Sequence, residues 1–295
     1  MKPKLIAIVG PTAVGKTALS IMLAKEIGGG AVSADSRQVY RGLDIGTGKV
    51  TREEMQAVPH HLLDVADPQE IFTAAEYVRL GRTALEEVTA RKQVPIVVGG
   101  TGFYIDALLG RISLANVPPN PVLRADLSRM NLEELRSKLE ELDVERYETI
   151  DIQNPVRLIR AIEVAIALGK NPLPNTELLY DVLWIGLTIP LPEVREKIKA
   201  RLSVRLENGM LDEARKLHTK GLSYERMDEL GLEYRFMARH LMGEISHEEM
   251  VANLEKEIFN YAKRQMTWFK KNKEIHWFAP TETEKAIILA KDFLK

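Results

Sequence analysis

Three groups of residues in this 295-residue chain have side chains and spacings suited to chemistry. Gly10-Pro11-Thr12-Ala13-Val14-Gly15-Lys16-Thr17 fits, without a mismatch, the pattern of Gly, four free positions, Gly, Lys and Ser/Thr that cradles phosphate. The backbone N–H groups of such a loop form a nest for phosphate oxygens, reinforced by a helix dipole. Lys16 adds a mobile positive charge, and Thr17 offers a hydroxyl to a magnesium ion. The second group is Asp35-Ser36-Arg37-Gln38, a carboxylate followed by polar and basic side chains. The third is Gly99-Gly100-Thr101-Gly102, where glycines permit a ligand close to the backbone and Thr101 can make one hydrogen bond. The loop by itself specifies a phosphate, not which one.

The flanking elements suit these roles. Residues 4–9 form a short apolar run that reads as a buried strand. Ala18, Leu19, Met22, Leu23 and Ile27 then recur at helical spacing, and Gly28-Gly29-Gly30 stops that helix. Residues 31–34 read as a second strand with Asp35 at its carboxyl end, where open α/β sheets place ligand-binding residues. Asp and Ser after a strand equally serve to cap a following helix, and both readings stand at this point. A helix is predicted over 73–91, with Thr73 as N-cap and Glu76 completing a capping box. A third strand over 94–98 leads into the Gly-Gly-Thr-Gly block. An ordinary ATPase would carry an acidic residue for magnesium at such a tip. His60, His61, Asp64 and Asp67 are close in sequence, but adjacent histidines point in different directions, so they read as loop packing rather than a metal site.

From Arg111 the character changes. Pro118-Pro119-Asn120-Pro121 breaks the chain, and a charged amphipathic helix is expected over 131–142. Asn154 and Pro155 open a further helix that Gly169 ends, with Arg157 and Arg160 sharing one face. That pair is either a solvated face or a binding face. Residues 183–189 read as a strand returning to the sheet. The expected organisation is a catalytic core from 1–111 and 183–295, with a helical insertion domain over 112–182. Helices follow, one carrying Arg201 and Arg205 a turn apart. Another, over 248–271, ends in bases interleaved with aromatics, as in Tyr261-Ala262-Lys263-Arg264-Gln265, a pattern suited to nucleic acid. Residues 275–278 form a final expected strand.

Composition bounds the class. Apolar residues make up 45% and charged residues 28%, as in soluble globular proteins, and the net charge of −1 gives no global pull towards nucleic acid. There is no cysteine, hence no disulfide or thiolate zinc site. No signal segment precedes the first strand and no run approaches a membrane span. The expectation is a cytoplasmic enzyme, without membrane contact, acting as a monomer.

Taken together, these residues resemble the tRNA dimethylallyltransferases, also called tRNA isopentenyltransferases. The likeness runs in order along nearly the whole chain. It rests on residues 10–17, 35–47, Pro59-His60-His61-Leu62-Leu63-Asp64, 99–104, 157–164 and 261–265. Two stretches depart from the family pattern: Leu230-Gly231-Leu232-Glu233-Tyr234, and Gly46-Thr47-Gly48-Lys49, where alanine commonly precedes the lysine. The resemblance implies an α/β fold with a P-loop NTPase-like core, a central parallel sheet and the helical insertion. It implies transfer of a dimethylallyl group from dimethylallyl diphosphate to N6 of the adenosine beside the tRNA anticodon. Gly10, Pro11, Thr12, Ala13, Val14, Gly15, Lys16 and Thr17 would bind the diphosphate, with Mg2+ on Thr17. Asp35, Thr101 and Lys16 would be catalytic. Asp35, Ser36, Arg37, Gln38 and Thr101, together with Val156, Arg157, Leu158, Ile159 and Arg160, would touch the anticodon stem-loop. The competing readings are a small-molecule kinase, an isopentenyltransferase acting on free adenylate, and a non-catalytic RNA-binding module.

Overall fold

Leu5, Ala7 and Val9 of strand β1 (Lys4–Val9) face one apolar core, and Ile6 and Ile8 face another. A strand covered on both sides reads as an unbroken apolar run, which is why this one shows no alternation in sequence. The structure, a computed structural model, describes residues 2–172 and 178–295. Residues 173–177 of the expected insertion lie outside the described residues.

After β1 come α1 (Lys16–Ile27), β2 (Gly29–Ala34), α2 (Arg52–Met55), β3 (His60–His61), α3 (Ala74–Ala90), β4 (Val94–Gly99) and α4 (Gly102–Leu108). Four helices follow: α5 (Pro121–Leu127), α6 (Leu132–Leu142), α7 (Val144–Thr149) and α8 (Pro155–Leu168). The chain continues through β5 (Asp181–Leu187), α9 (Leu191–Glu207), α10 (Met210–Thr219), α11 (Tyr224–Leu230), α12 (Leu232–Leu241), α13 (His247–Phe269), β6 (His276–Phe278) and α14 (Thr283–Leu294). The sheet is parallel throughout, in the order β3-β2-β4-β1-β5-β6. Strands added before β5 lie on one side of β1 and those added after lie on the other. The carboxyl tip of β1 is therefore a topological switch point, the usual place for a ligand crevice.

Two compact units result: Met1–Leu109 with Leu178–Lys295, and Gly110–Glu177. The smaller unit has its own core of Leu127, Leu135, Leu139, Leu158, Ala161 and Ile162. Its helices start on side chains the sequence announces: Asn120, Asn131 and Asn154 each accept amide protons from the first turn they cap. Thr73 and Glu76 form the capping box of α3 in the same way.

At three places where an element differs from the sequence expectation, packing gives the reason. Only Gly28 ends α1, in the left-handed conformation, whereas Gly29 and Gly30 already belong to β2. A Cβ on Gly29 would sit 2.7 Å from Ile96 Cδ1, and one on Gly30 would sit 3.0 Å from Val88 Cγ2, so these glycines let helix and neighbouring strand close up. β5 begins at Asp181, two residues early, because Asp181 and Val182 pair with Lys4 and Leu5. His60 and His61 pair with Ala31 and Val32 as a short edge strand instead of lying in a loop. Among the described residues no helix is long and apolar enough to cross a membrane.

Candidate active site

The turn from β1 into α1 is held open by backbone that only certain residues tolerate. Gly10 has φ +138°, and a Cβ there would lie 2.3 Å from the carbonyl oxygen of Leu187. Gly15 caps α1 with φ 93° and no side-chain hydrogen bond, so the first-turn amides are left for an anion. Ala13, at φ 66°, carries the strain of the curve itself. Val14 is buried, so its contribution to a phosphate is confined to its amide. Lys16 donates to the carbonyl of Pro11 at 2.6 Å. Burial pushes the pKa of its ammonium down to about 7, against the pull of Asp35 and with the push of Arg201.

Asp35 stands just past the end of β2 and is fixed by its own turn. Its Oδ1 accepts the amides of Arg37 at 2.8 Å and Gln38 at 3.2 Å. Those two bonds use one carboxylate oxygen and aim the other away from the turn. Asp35 thus caps a turn while lining the cavity described below; the two roles weighed from the sequence are compatible. Thr101, beyond the tip of β4, accepts the amide of Ser36 at 3.1 Å and pairs with the hydroxyl of Tyr261. Burial, with the charge of Asp35 nearby, pushes the Tyr261 phenol up to about 12, so it remains a protonated donor.

A cavity of about 620 Å³ joins the phosphate loop, Asp35 and Tyr261; Thr101 is not among the residues that line it and reaches it through Tyr261. Thr12, Lys16 and Thr17 line it together with Asp35, Gly99, Gly100, Arg201, Tyr261 and Gln265. The last three were not singled out as site residues from the sequence. Gln265 accepts the Thr12 amide at 2.8 Å and donates to the carbonyl of Gly100 at 3.0 Å, so one buried amide side chain fastens the phosphate loop to the tip of β4. Arg201 donates to Thr12 Oγ1 at 3.5 Å and to the Gly48 carbonyl at 3.1 Å. Gly48, one of the departures from the family pattern, lies at φ +59°, a left-handed conformation that favours glycine, with the end of the Arg201 side chain against it. Behind this loop, Glu213 accepts the amides of Asp44, Ile45 and Gly46 as well as the Tyr234 hydroxyl. Arg205 bonds the Gly46 carbonyl at 2.6 Å and pairs with Glu233. Lys49 is buried and bridges Asp44, Asp64 and the Tyr40 carbonyl, which makes it a brace for the loop. Tyr261 and Gln265, four apart on α13, share a face, and that spacing was the available signal. Lys263 and Arg264 between them are exposed.

The description IPP transferase matches residues 38–272. The chain belongs to the IPP transferase family. The tRNA dimethylallyltransferase 1 of Geotalea uraniireducens is 42% identical over 282 residues, covering 94% of this chain and 93% of that protein. The tRNA dimethylallyltransferase of Halalkalibacterium halodurans is 38% identical over 295 residues, covering 96% and 93%. The crystal structure of the full-length tRNA isopentenylpyrophosphate transferase from Bacillus halodurans superposes with a TM-score of 0.75 at 37% identity, covering 99% of this chain and 96% of that one. A eukaryotic dimethylallyltransferase acting on tRNA gives a TM-score of 0.86 at 23% identity, with 99% and 79% covered, a likeness of fold alone. The fold of this IPP transferase is the P-loop NTPase-like α/β class.

Thr17, on the wall of the cavity, presents a donor that suits a magnesium ion beside a diphosphate, a hydroxyl oxygen. A magnesium ion takes near-octahedral oxygen ligands and keeps several waters, so a hydroxyl beside diphosphate oxygens is a suitable donor set. No group of three His, Cys, Asp or Glu that could cage a metal occurs among the described residues. His60 lines the cavity with Nδ1 donating to the Val58 carbonyl, and His61 lies 3.7 Å from Glu87 on α3. The remaining residues assigned from the sequence lie in the smaller unit of this family member. Val156 and Arg157 are exposed, Arg157 in an ion pair with Asp151 at 3.2 Å. Leu158 is fully buried in that unit's core, so any part it plays in RNA contact is through the helix it anchors. Arg160 is partly exposed and bonded to Glu163 and to the carbonyl of Val117.

Proposed function

We propose that this chain transfers the dimethylallyl group of dimethylallyl diphosphate to N6 of adenosine 37 in tRNA, next to the anticodon. The observation that carries this reading is the shared cavity. It is lined by phosphate-loop residues after β1 and by a carboxylate at the end of β2, with the small residues Gly99 and Gly100 at the tip of β4, the strand between them. A kinase reading would want an acidic residue at that tip.

In the reaction the allylic C1–O bond breaks and its electron pair leaves with pyrophosphate, while the N6 lone pair forms the new C–N bond. The loop amides, Lys16 and Arg201 stabilise the charge that grows on the departing pyrophosphate. Magnesium held by Thr17 and the diphosphate would supply further neutralisation of that charge. The N6 proton passes to the Asp35 oxygen not engaged by the Arg37 and Gln38 amides. Thr101, tied to the Ser36 amide and paired with Tyr261, orients the amine. Adenine must leave its stack to reach so enclosed a cavity. Gln38 lines the cavity itself, Ser36 and Arg37 beside it would meet the RNA, and Val156, Arg157 and Arg160 contribute contacts to the stem-loop from the smaller unit. The enzyme on this reading is cytoplasmic and works as a monomer.

Incubation with an anticodon stem-loop, dimethylallyl diphosphate and magnesium, read by nucleoside mass, tests the proposal. The expected product is N6-isopentenyladenosine at position 37, with no need for ATP. ATP turnover stimulated by a small hydroxylated substrate, with no prenylated RNA, would replace this reading with a kinase.

A further inference from the structure

Among the described residues of the smaller unit two carboxylates are buried, Asp143 and, more deeply, Glu163. Glu163 of α8 is 2% exposed. Its Oε1 accepts the amide of Asn120 at 2.6 Å and Nε of Arg124 at 2.9 Å, and its Oε2 accepts Nη2 of Arg124 at 2.8 Å and Nη1 of Arg160. Arg160 also donates through Nη2 to the carbonyl of Val117 at 2.9 Å. Burial pushes the Glu163 carboxyl up, but the bonds from Arg124, Asn120 and Arg160 prevail and hold it down at about 2.

A buried carboxylate is satisfied by one guanidinium; this one holds two. The cluster therefore keeps one net positive charge. The Arg124 and Arg160 side chains stay 40% and 36% exposed although both are locked. Arg124 gives Glu163 its Nε–Nη2 edge, which leaves the Nη1 side for a second anion. Arg160 spends Nη1 and Nη2 and keeps Nε. Val122 and Val156, which follow prolines at the starts of α5 and α8, are each 74% exposed, so among the described residues the first turns of both helices are open. Guanidinium edges match phosphate oxygens bidentately, and arginines ordered before binding do not lose rotamer freedom on contact.

We infer that Glu163 is a positioning residue for RNA: it holds Arg124 and Arg160 as a fixed pair of guanidinium groups that together grip the phosphate backbone of the tRNA substrate. This rests on the tRNA reading above. It adds Arg124 to the recognition surface, with Glu163 buried beneath it, and gives Arg160 a fixed orientation in place of a swinging one.

The test exploits the sign of a charge change. Glu163→Gln makes the protein more positive, so general electrostatics would tighten RNA binding, whereas loss of positioning weakens it. Titration of an anticodon stem-loop, with steady-state kinetics alongside, is expected to show Kd and KM for the RNA rising about tenfold, the scale for freeing two rotamer-rich side chains. KM for dimethylallyl diphosphate should not move. Arg124→Lys keeps its charge and loses the fork, and it should weaken RNA binding several-fold; it decides the matter if circular dichroism shows Glu163→Gln misfolded. Equal or tighter binding by a folded Glu163→Gln, or unchanged binding by Arg124→Lys, overturns the inference and leaves the tRNA reading intact. Failure of the unaltered protein to bind the stem-loop overturns the tRNA reading, and this inference with it.

Discussion

The larger unit ties its phosphate loop and the turn after β2 to elements far away in sequence, whereas the smaller unit combines local caps and ion pairs with a long-range cluster of Asn120 and Arg124 on Glu163. In the larger unit Thr12 is tied to Gln265, Ser36 to Thr101, and the loop at Asp44 to Glu213. In the smaller unit Asn154 caps its own helix, Arg157 pairs with Asp151, and Arg160 pairs with Glu163 three residues on. The difference follows from the tasks proposed for them. Group transfer requires a leaving group and a base from separate strands to be aligned to fractions of an ångström, which only cross-links between elements provide. Gripping a flexible phosphate backbone requires charges on a stable face, which one well-capped helix hairpin can present.

Breaking the first arrangement should have the larger consequence. Asp35→Asn keeps an acceptor for the Arg37 and Gln38 amides, so the turn stays folded and both substrates still bind. Loss of the proton acceptor should lower the single-turnover rate by about two to four orders of magnitude. A variant transferring at the unaltered rate would remove Asp35 from the chemistry and leave it as a turn cap.

Next in size is Gln265→Met, which fills the same space and severs the link between the phosphate loop and β4. Leaving the Thr12 amide and the Gly100 carbonyl without their partner should cost about 1–3 kcal/mol, seen as a lower unfolding temperature and a raised KM for dimethylallyl diphosphate. The matched change in the other unit is Asn154→Ala. It should cost about 1 kcal/mol of stability by loss of the cap while leaving that KM unchanged. Equal effects on KM would erase the contrast between the units.

These two residues also show what could be read from the sequence. Asn154 and Thr73 act through partners a few positions away, and the glycine and lysine spacing of residues 10–17 is itself local, so their roles are written in the sequence. The core strands were legible for the same reason: an apolar run between glycine turns has few alternatives. Gln265 and Arg201 stand in patterns visible in the sequence, a basic-aromatic run and two arginines one turn apart, but their partners are not. Their meaning depends on the Thr12 amide and the Gly48 carbonyl, which arrive from elsewhere in the chain. The strand at His60 was missed because its pairing with Ala31 depends on sheet edge geometry rather than on two histidines' propensity. Arg160 was read as one of two like arginines on a face, because the buried Glu163 beneath it becomes visible only once the helices pack.

A smaller effect is expected from pH. The Lys16 ammonium, held down to about 7 by burial, should have its pKa raised by a bound diphosphate. Binding then takes up protons, and affinity is full below about pH 7 and falls as pH rises above it. Calorimetry in buffers of different ionisation enthalpy would report the uptake. Lys16→Arg, which does not titrate in this range, should flatten the profile; an unchanged slope would assign the titration to the diphosphate itself.

The smallest expected effect belongs to Arg157. Its ion pair with Asp151 is about half exposed, so losing it should change stability by at most about 1 kcal/mol. If Arg157 meets one phosphate of the stem-loop, Arg157→Ala should weaken binding modestly and reduce the slope of log affinity against log salt by about one. The rate at saturating RNA should be unaffected, because the active-site cavity is lined by other residues. Unlike Arg124 and Arg160, Arg157 is held only by a carboxylate that solvent already screens, so no loss of positioning accompanies loss of its charge. Measuring the slope for Arg157→Ala beside Glu163→Gln separates the two mechanisms. Charge removal lowers the slope in proportion to the phosphates no longer neutralised, whereas freeing a guanidinium weakens binding even as net positive charge rises. A flat response to Arg157→Ala would return that residue to the solvated face of α8.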